Sequence, residues 1–102
     1  WFRWLPGLIP GLHHAVGATC QSDTDRVIIL TPIYPPFLGS VSASRATLVN
    51  IPLVEGAAID ASREIRFEID WAVLEREVAH PNTKLLHWCN PHNPAGRCWS
   101  SE

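Results

Sequence analysis

Val27-Ile28-Ile29-Leu30-Thr31-Pro32 decides how this chain folds. Four aliphatic residues follow one another with no polar residue between them. A strand with one wet face alternates, so an unbroken run belongs to a strand covered on both faces, as in a parallel sheet. Thr31-Pro32 closes the run. Proline has no amide to donate to a strand ladder.

The rest of the chain is read outward from that strand. Tyr34-Pro35-Pro36 opens a helical segment with its prolines in the first turn, where no amide donor is needed; Phe37, Val41 and Ser44 share one side of it. Thr47 to Val54 is a second strand, in which Val49, Ile51 and Leu53 alternate with Asn50 and Pro52, and the proline assigns it to a sheet edge. Gly56 to Glu68 is compatible with a hairpin or with an irregular connection. Asp70 caps an amphipathic helix, with Trp71, Leu74 and Val78 expected inward and Glu75, Arg76 and Glu77 outward. Lys84 to Cys89 is a third strand and runs into Asn90-Pro91-His92-Asn93-Pro94-Ala95-Gly96.

Upstream, Trp1 to Leu5 reads as a short strand entering a Pro6-Gly7 turn. Pro10-Gly11 then opens a helix carrying Leu12, Ala15, Val16 and Thr19 at helical spacing. Strand and helix thus recur with connections long enough for crossovers. The expected class is α/β, a three-layer α/β/α sandwich with a mainly parallel sheet. Ligands of such sheets bind beyond the carboxyl ends of the strands. Pro6–Gly11, Thr31–Phe37 and Asn90–Gly96 are all expected at such ends, where one pocket would collect them.

Composition excludes several functions. With 46% hydrophobic and 18% charged residues the chain is globular, and 102 residues suffice for one modest core. A formal charge of −2 with no basic stripe argues against nucleic-acid binding. No apolar run approaches the ~20 residues of a membrane span. The chain begins at Trp1, contains no methionine and ends in Ser100-Ser101-Glu102, which reads as the first turn of a helix. Both termini of 1–102 are therefore expected to be truncated. Cys20, Cys89 and Cys98 lack paired spacing and read as reduced thiols, with Cys89 buried in a strand.

The segment 90–96 carries the strongest chemical signal. A residue before proline is held extended, so Asn90 and Asn93 present their amides from a stiffened loop, and Gly96 permits a turn closed to other residues. By composition alone, a tight loop whose asparagines cap their own backbone explains the same residues. Cys89-Asn90-Pro91-His92-Asn93-Pro94-Ala95-Gly96-Arg97 resembles the asparagine-proline-x-glycine motif of the fold-type I pyridoxal-phosphate enzymes, the aminotransferase class I/II superfamily. The doubled Asn-Pro is most similar to the cysteine-S-conjugate β-lyase branch, the cystathionine β-lyase/regulator type.

That resemblance implies a role for Asn93, which would donate a hydrogen bond to the phenolic oxygen of pyridoxal 5'-phosphate; Asn90 would not touch the cofactor. Thr31-Pro32-Ile33-Tyr34-Pro35-Pro36-Phe37 resembles the family stretch whose aromatic ring stacks on the pyridine, which would be Tyr34. Pro6-Gly7-Leu8-Ile9-Pro10-Gly11-Leu12 resembles the family's glycine turn, so Gly7 would shape it and the amides of Leu8 and Ile9 would receive the phosphate. Helix starts attract anions for independent physical reasons.

The resemblance spans nearly the whole chain, with 57–66 read as an insertion, and implies a piece of the cofactor-holding large domain, with strands from the rest of that domain inserted between the strands present here. It implies an amino-acid substrate, a homodimer and a cytoplasmic setting. The family's Schiff-base lysine, pyridine-facing aspartate and substrate-gripping arginine lie later in its sequence. Lys84, the only lysine, opens a strand ahead of the asparagine motif, so no catalytic residue is expected here. By resemblance the parent reaction is β-elimination at a carbon–sulfur bond, with transamination as the sibling. A non-catalytic metal-binding or interaction domain is the alternative from another class. The spacing of His87, Cys89, His92 and Cys98 fits no common zinc pattern, so no metal site is expected. His13-His14 on the first helix reads as a partly exposed pair rather than a ligand, and His92 as a loop residue without a catalytic role.

Overall fold

The computed structural model describes residues 4–56 and 65–100. Helix α1 spans Leu8–Thr19 and strand β1 Arg26–Thr31; α2 is Pro36–Ser42 and β2 Thr47–Pro52. Two short strands follow, β3 at Val54–Glu55 and β4 at Phe67–Glu68, then α3 at Trp71–Val78 and β5 at Thr83–His87. The main sheet has the order β2-β1-β5 and is wholly parallel. β3 and β4 form a separate antiparallel pair, so the hairpin alternative holds for the residues flanking 57–64. The expected insertion lies largely outside the described residues.

Val27, Ile28, Ile29 and Leu30 are buried on both faces of the central strand. Val27 and Ile29 pack with Leu12 and Val16 of α1 and with Ile33, Phe37 and Val41 around α2. Ile28 and Leu30 face the other way, against Ile51, Leu53, Ile69 and Leu74. Helices therefore cover both faces of a parallel sheet, and the expected three-layer α/β/α arrangement is what the chain adopts. Each of the four central side chains contributes about 1.5–3 kcal/mol by leaving water.

Local rules explain most of the elements. The Asp70 carboxylate accepts the Val73 amide at 3.1 Å and caps α3 as anticipated. Pro35 precedes α2 and Pro36 occupies its first position. β2 is an edge strand ending at Pro52, two residues earlier than expected. α1 begins at Leu8, ahead of Pro10, which a first turn tolerates.

Four expectations need correction. Trp4 and Leu5 are not in a strand, and Trp1 to Arg3 fall outside the described residues; the Pro6–Gly11 segment thus starts a helix without a described strand before it. Trp71 and Val78 are 55% and 49% exposed, whereas Val73 is half-buried and Glu77 pairs with Arg26. α3 is rolled about Leu74 so that its Val73–Glu77 flank meets the sheet, and the ion pair holds that roll. β5 stops at His87, which leaves Cys89 half-buried two residues beyond it. Finally, β1 adjoins both β2 and β5 directly, so no further strand lies between those described here. Added strands have only the outer edges of β2 and β5 to pair with. The helix start expected at Ser100-Ser101-Glu102 falls at Ser101 and Glu102 outside the described residues.

Candidate functional site

The strand order creates the site. From β1 the chain moves out to β2, then returns across β1 to form β5 on its other side. The loops leaving β1 and β5 therefore diverge. The crevice between their carboxyl ends is the point at which open α/β sheets bind ligands. A cavity of about 380 Å³ opens there, within the range of small-molecule sites. Tyr34 and Phe37 line it from the loop and helix after β1, Trp88 through Pro91 and Asn93 from the segment after β5, and Leu8 from the start of α1.

Leu8, Tyr34 and Asn93 thus share one cavity, and the Asn93 amide makes no hydrogen bond to any described residue. Asn90 behaves differently. Its Oδ1 accepts the Trp99 main-chain N–H at 3.1 Å, and its amide lies 3.5 Å from the Trp99 carbonyl. Tyr34, 37% exposed, offers an aromatic surface to the cavity.

Gly7 adopts φ 157° and ψ 172°, a region essentially restricted to glycine. It directs the first turn of α1, where helical geometry leaves amides without intrahelical acceptors. Pro10 has no N–H, and the Gly11 amide points to the Gly7 carbonyl at 3.3 Å, leaving the Leu8 and Ile9 amides as first-turn donors. No acidic residue sits in that turn to repel an anion. Ile9 is beside the cavity in sequence but does not line it.

Sequence reasoning missed four lining residues. The sequence puts Phe37 on one helix side with Val41 and Ser44 and gives it no site role of its own; it is buried with its ring edge-on to His87, centroids 5.7 Å apart. Trp88, 39% exposed, supplies an aromatic wall, and Cys89 and Pro91 complete it. Their signal was position: each directly follows β5 or interrupts the asparagine motif. Nor did the sequence reveal the anchoring of His92, which is 1% exposed with Nε2 2.9 Å from the Pro32 carbonyl.

Other groups are placed away from this chemistry. Lys84 is near the amino end of β5, with Nζ 3.4 Å from the Pro81 carbonyl; three residues of strand carry it about 10 Å from His87 and the cavity end. No carboxylate lines the cavity among the described residues. His13 and His14 are exposed. No cluster of three or more His, Cys, Asp or Glu side chains is arranged to hold a metal among the described residues. No helix is long and apolar enough to cross a membrane among them. A second cavity of about 280 Å³ lies by β4 and α3, lined by Arg66, Glu68, Trp71, Arg97 and Trp99, away from all five candidate residues.

Comparison with known proteins gives this geometry a context. The family model for aminotransferase class I and II matches residues 5–102. Cystathionine beta-lyase PatB of Bacillus subtilis (strain 168) is 34% identical over 97 residues, covering 95% of this chain and 23% of that protein. A histidinol-phosphate aminotransferase of Cytophaga hutchinsonii is 28% identical over 87 residues, 85% of this chain and 22% of that one. Cystalysin from Treponema denticola, whose crystal structure contains pyridoxal 5'-phosphate, matches with a TM-score of 0.80 and 32% identity over 93% of this chain and 22% of its own. The PLP-bound C-S lyase of Staphylococcus hominis matches with a TM-score of 0.76 and 31% identity over 97% of this chain and 25% of its own. The chain spans about a quarter of the length of these proteins.

Proposed function

The chain belongs to the aminotransferase class I and II family, a pyridoxal-phosphate-dependent family, and from that premise we propose that 1–102 is the cofactor-cradling part of the large domain of a carbon–sulfur β-lyase. The observation that carries the reading is the meeting of Leu8, Tyr34 and Asn93 on one cavity at the carboxyl ends of β1 and β5. The residues present fit pyridoxal 5'-phosphate. The Asn93 amide, without a partner among the described residues, suits its phenolic oxygen, the Tyr34 ring its pyridine face, and the Leu8 and Ile9 amides beyond Gly7 its phosphate.

When bound, the cofactor supplies an electron sink for negative charge at the substrate Cα. The residues of this chain hold and orient. Tyr34 fixes the plane of the ring. Asn93, by donating to the phenolic oxygen, favours its ionised form. The first turn of α1 anchors the phosphate end through main-chain donors, which is why the side chains there can be apolar. Phe37 and Trp88 keep water from the flanks.

The parent reaction on this reading is β-elimination of cystathionine or a cysteine S-conjugate, with water, to pyruvate, ammonia and a thiol. The match to a lyase at 34% identity favours it. Transamination is the second reading, favoured by the similarity to histidinol-phosphate aminotransferases. The substrate is an amino acid in either case, and the parent enzyme is proposed to be a cytoplasmic homodimer. With Lys84 as the only lysine and placed at the far end of β5, residues 1–102 alone have no lyase or transaminase activity on this reading. Assaying the full-length enzyme with cystathionine for pyruvate release, against amino transfer to a keto acid, separates the two reactions. Amino transfer without pyruvate release rejects the lyase assignment.

A further inference from the structure

Two loops meet at the cavity from distant parts of the chain, and one side chain joins them. His92 is 1% exposed, and its Nε2 lies 2.9 Å from the carbonyl oxygen of Pro32, sixty residues away. A carbonyl only accepts, so Nε2 carries the proton. His92 is also fixed from its own side. Its main-chain N–H donates to the Arg97 carbonyl at 2.6 Å, its carbonyl accepts the Gly96 amide at 2.8 Å, and its ring stands edge-on to Trp99 with centroids 5.6 Å apart. The two joined residues are the one directly before Asn93 and the one two before Tyr34.

We infer that His92 is a positioning residue, which sets the separation between the Asn93 amide and the Tyr34 ring and so aligns both on one planar ligand. The inference rests on the pyridoxal-phosphate reading above. Neither functional side chain is itself braced: Asn93 has no partner among the described residues, and Tyr34 is partly exposed. Their relative placement depends on backbone, and among the described residues the His92–Pro32 hydrogen bond is the side-chain tie between the two loops on which they sit. Displacements of 1 Å in such supports are known to matter for aligned groups. The Nδ1 atom is buried without a partner among the described residues. Burying a ring with one nitrogen unsatisfied is unfavourable, which sets the hydrogen bond at Nε2 apart from mere filling of space.

The test is titration of the full-length apoenzyme with pyridoxal 5'-phosphate, following the visible absorption band and its pH midpoint, with thermal unfolding as a control. His92→Phe keeps a buried ring and removes the donor. It is expected to weaken the cofactor about tenfold, the size of one lost hydrogen bond to a charged group, and to raise the pH midpoint, because a misplaced Asn93 no longer favours the ionised phenol. His92→Gln brings an amide N–H near the former Nε2 position and is expected to recover most of the affinity and the midpoint. If the Phe variant does not fold, His92→Asn, whose amide stops short of Pro32, takes its place. Affinity and midpoint unchanged in the donor-less variant overturn the inference, as does a Gln variant that folds but recovers neither. An unsubstituted enzyme that binds no pyridoxal 5'-phosphate overturns the functional reading, and this inference with it.

Discussion

Asn90 and Asn93 stand three residues apart in one loop, yet the Asn90 side chain accepts the Trp99 N–H at 3.1 Å while the Asn93 amide lines the cavity without a partner among the described residues. The first asparagine is a brace and the second is available to a ligand. Substituting each to alanine should therefore separate stability from binding. Asn93→Ala is expected to leave stability within about 0.5 kcal/mol and to weaken pyridoxal 5'-phosphate about tenfold. Asn90→Ala is expected to cost about 0.5–1.5 kcal/mol of stability. Thermal unfolding and cofactor titration on both variants check this; equal loss of affinity in the two would refute the division.

Tyr34 is read as a stacking surface rather than a hydrogen-bonding group. Tyr34→Phe keeps the ring, so affinity for the cofactor should hold. Tyr34→Ala removes a stacking contact worth about 0.5–1.5 kcal/mol, roughly two- to tenfold in Kd. Fluorescence or absorbance titration measures both, and a Phe variant as weak as the Ala variant would transfer the role to the hydroxyl.

Gly96 closes the asparagine loop at φ 65°, with open space where a Cβ would stand. Gly96→Ala therefore costs about 1–2 kcal/mol through backbone conformation alone. Gly17, inside α1, has equally open space and helical geometry, so Gly17→Ala should stabilise by about 0.5–1 kcal/mol. The same added atom gives opposite signs, and denaturant midpoints of the two variants report them directly.

Burial in β5 lowers the pKa of the His87 imidazole. Its neighbours are neutral: the Phe37 ring, and Ser40 Oγ at 3.3 Å, which gives its own proton to the Phe37 carbonyl at 2.7 Å and so accepts from Nε2. On acidification the unfolded chain takes up the proton first, and stability falls as pH drops through the ordinary imidazole range, being fully present above it. His87→Phe should flatten that slope between about pH 7 and pH 5. Thermal midpoints collected across the range decide the matter, and an unchanged slope assigns it to another group.

Much of the molecule was readable from local chemistry. The unbroken run at Val27–Leu30 announced a doubly covered strand, Asp70 its helix cap, and Pro52 an edge, because each rule involves only neighbours in sequence. The roll of α3 was not readable. Leu74 belongs to two possible apolar stripes, and the choice between Trp71–Val78 and Val73–Glu77 follows from where Arg26 of β1 comes to rest. His92 reads from the sequence as a loop residue without a catalytic role for the same reason, since its partner, the Pro32 carbonyl, lies sixty residues away.

The sequence by itself determined the class of fold, the doubled Asn-Pro loop and the three segments worth watching, through periodicity, capping and proline restriction. Only the tertiary structure decided that β5 lies beside β1 instead of beyond β2. That choice depends on the two buried faces of β1 being claimed by helices on opposite sides, a packing relation between residues far apart in the chain. From it follows the crevice in which Leu8, Tyr34 and Asn93 meet.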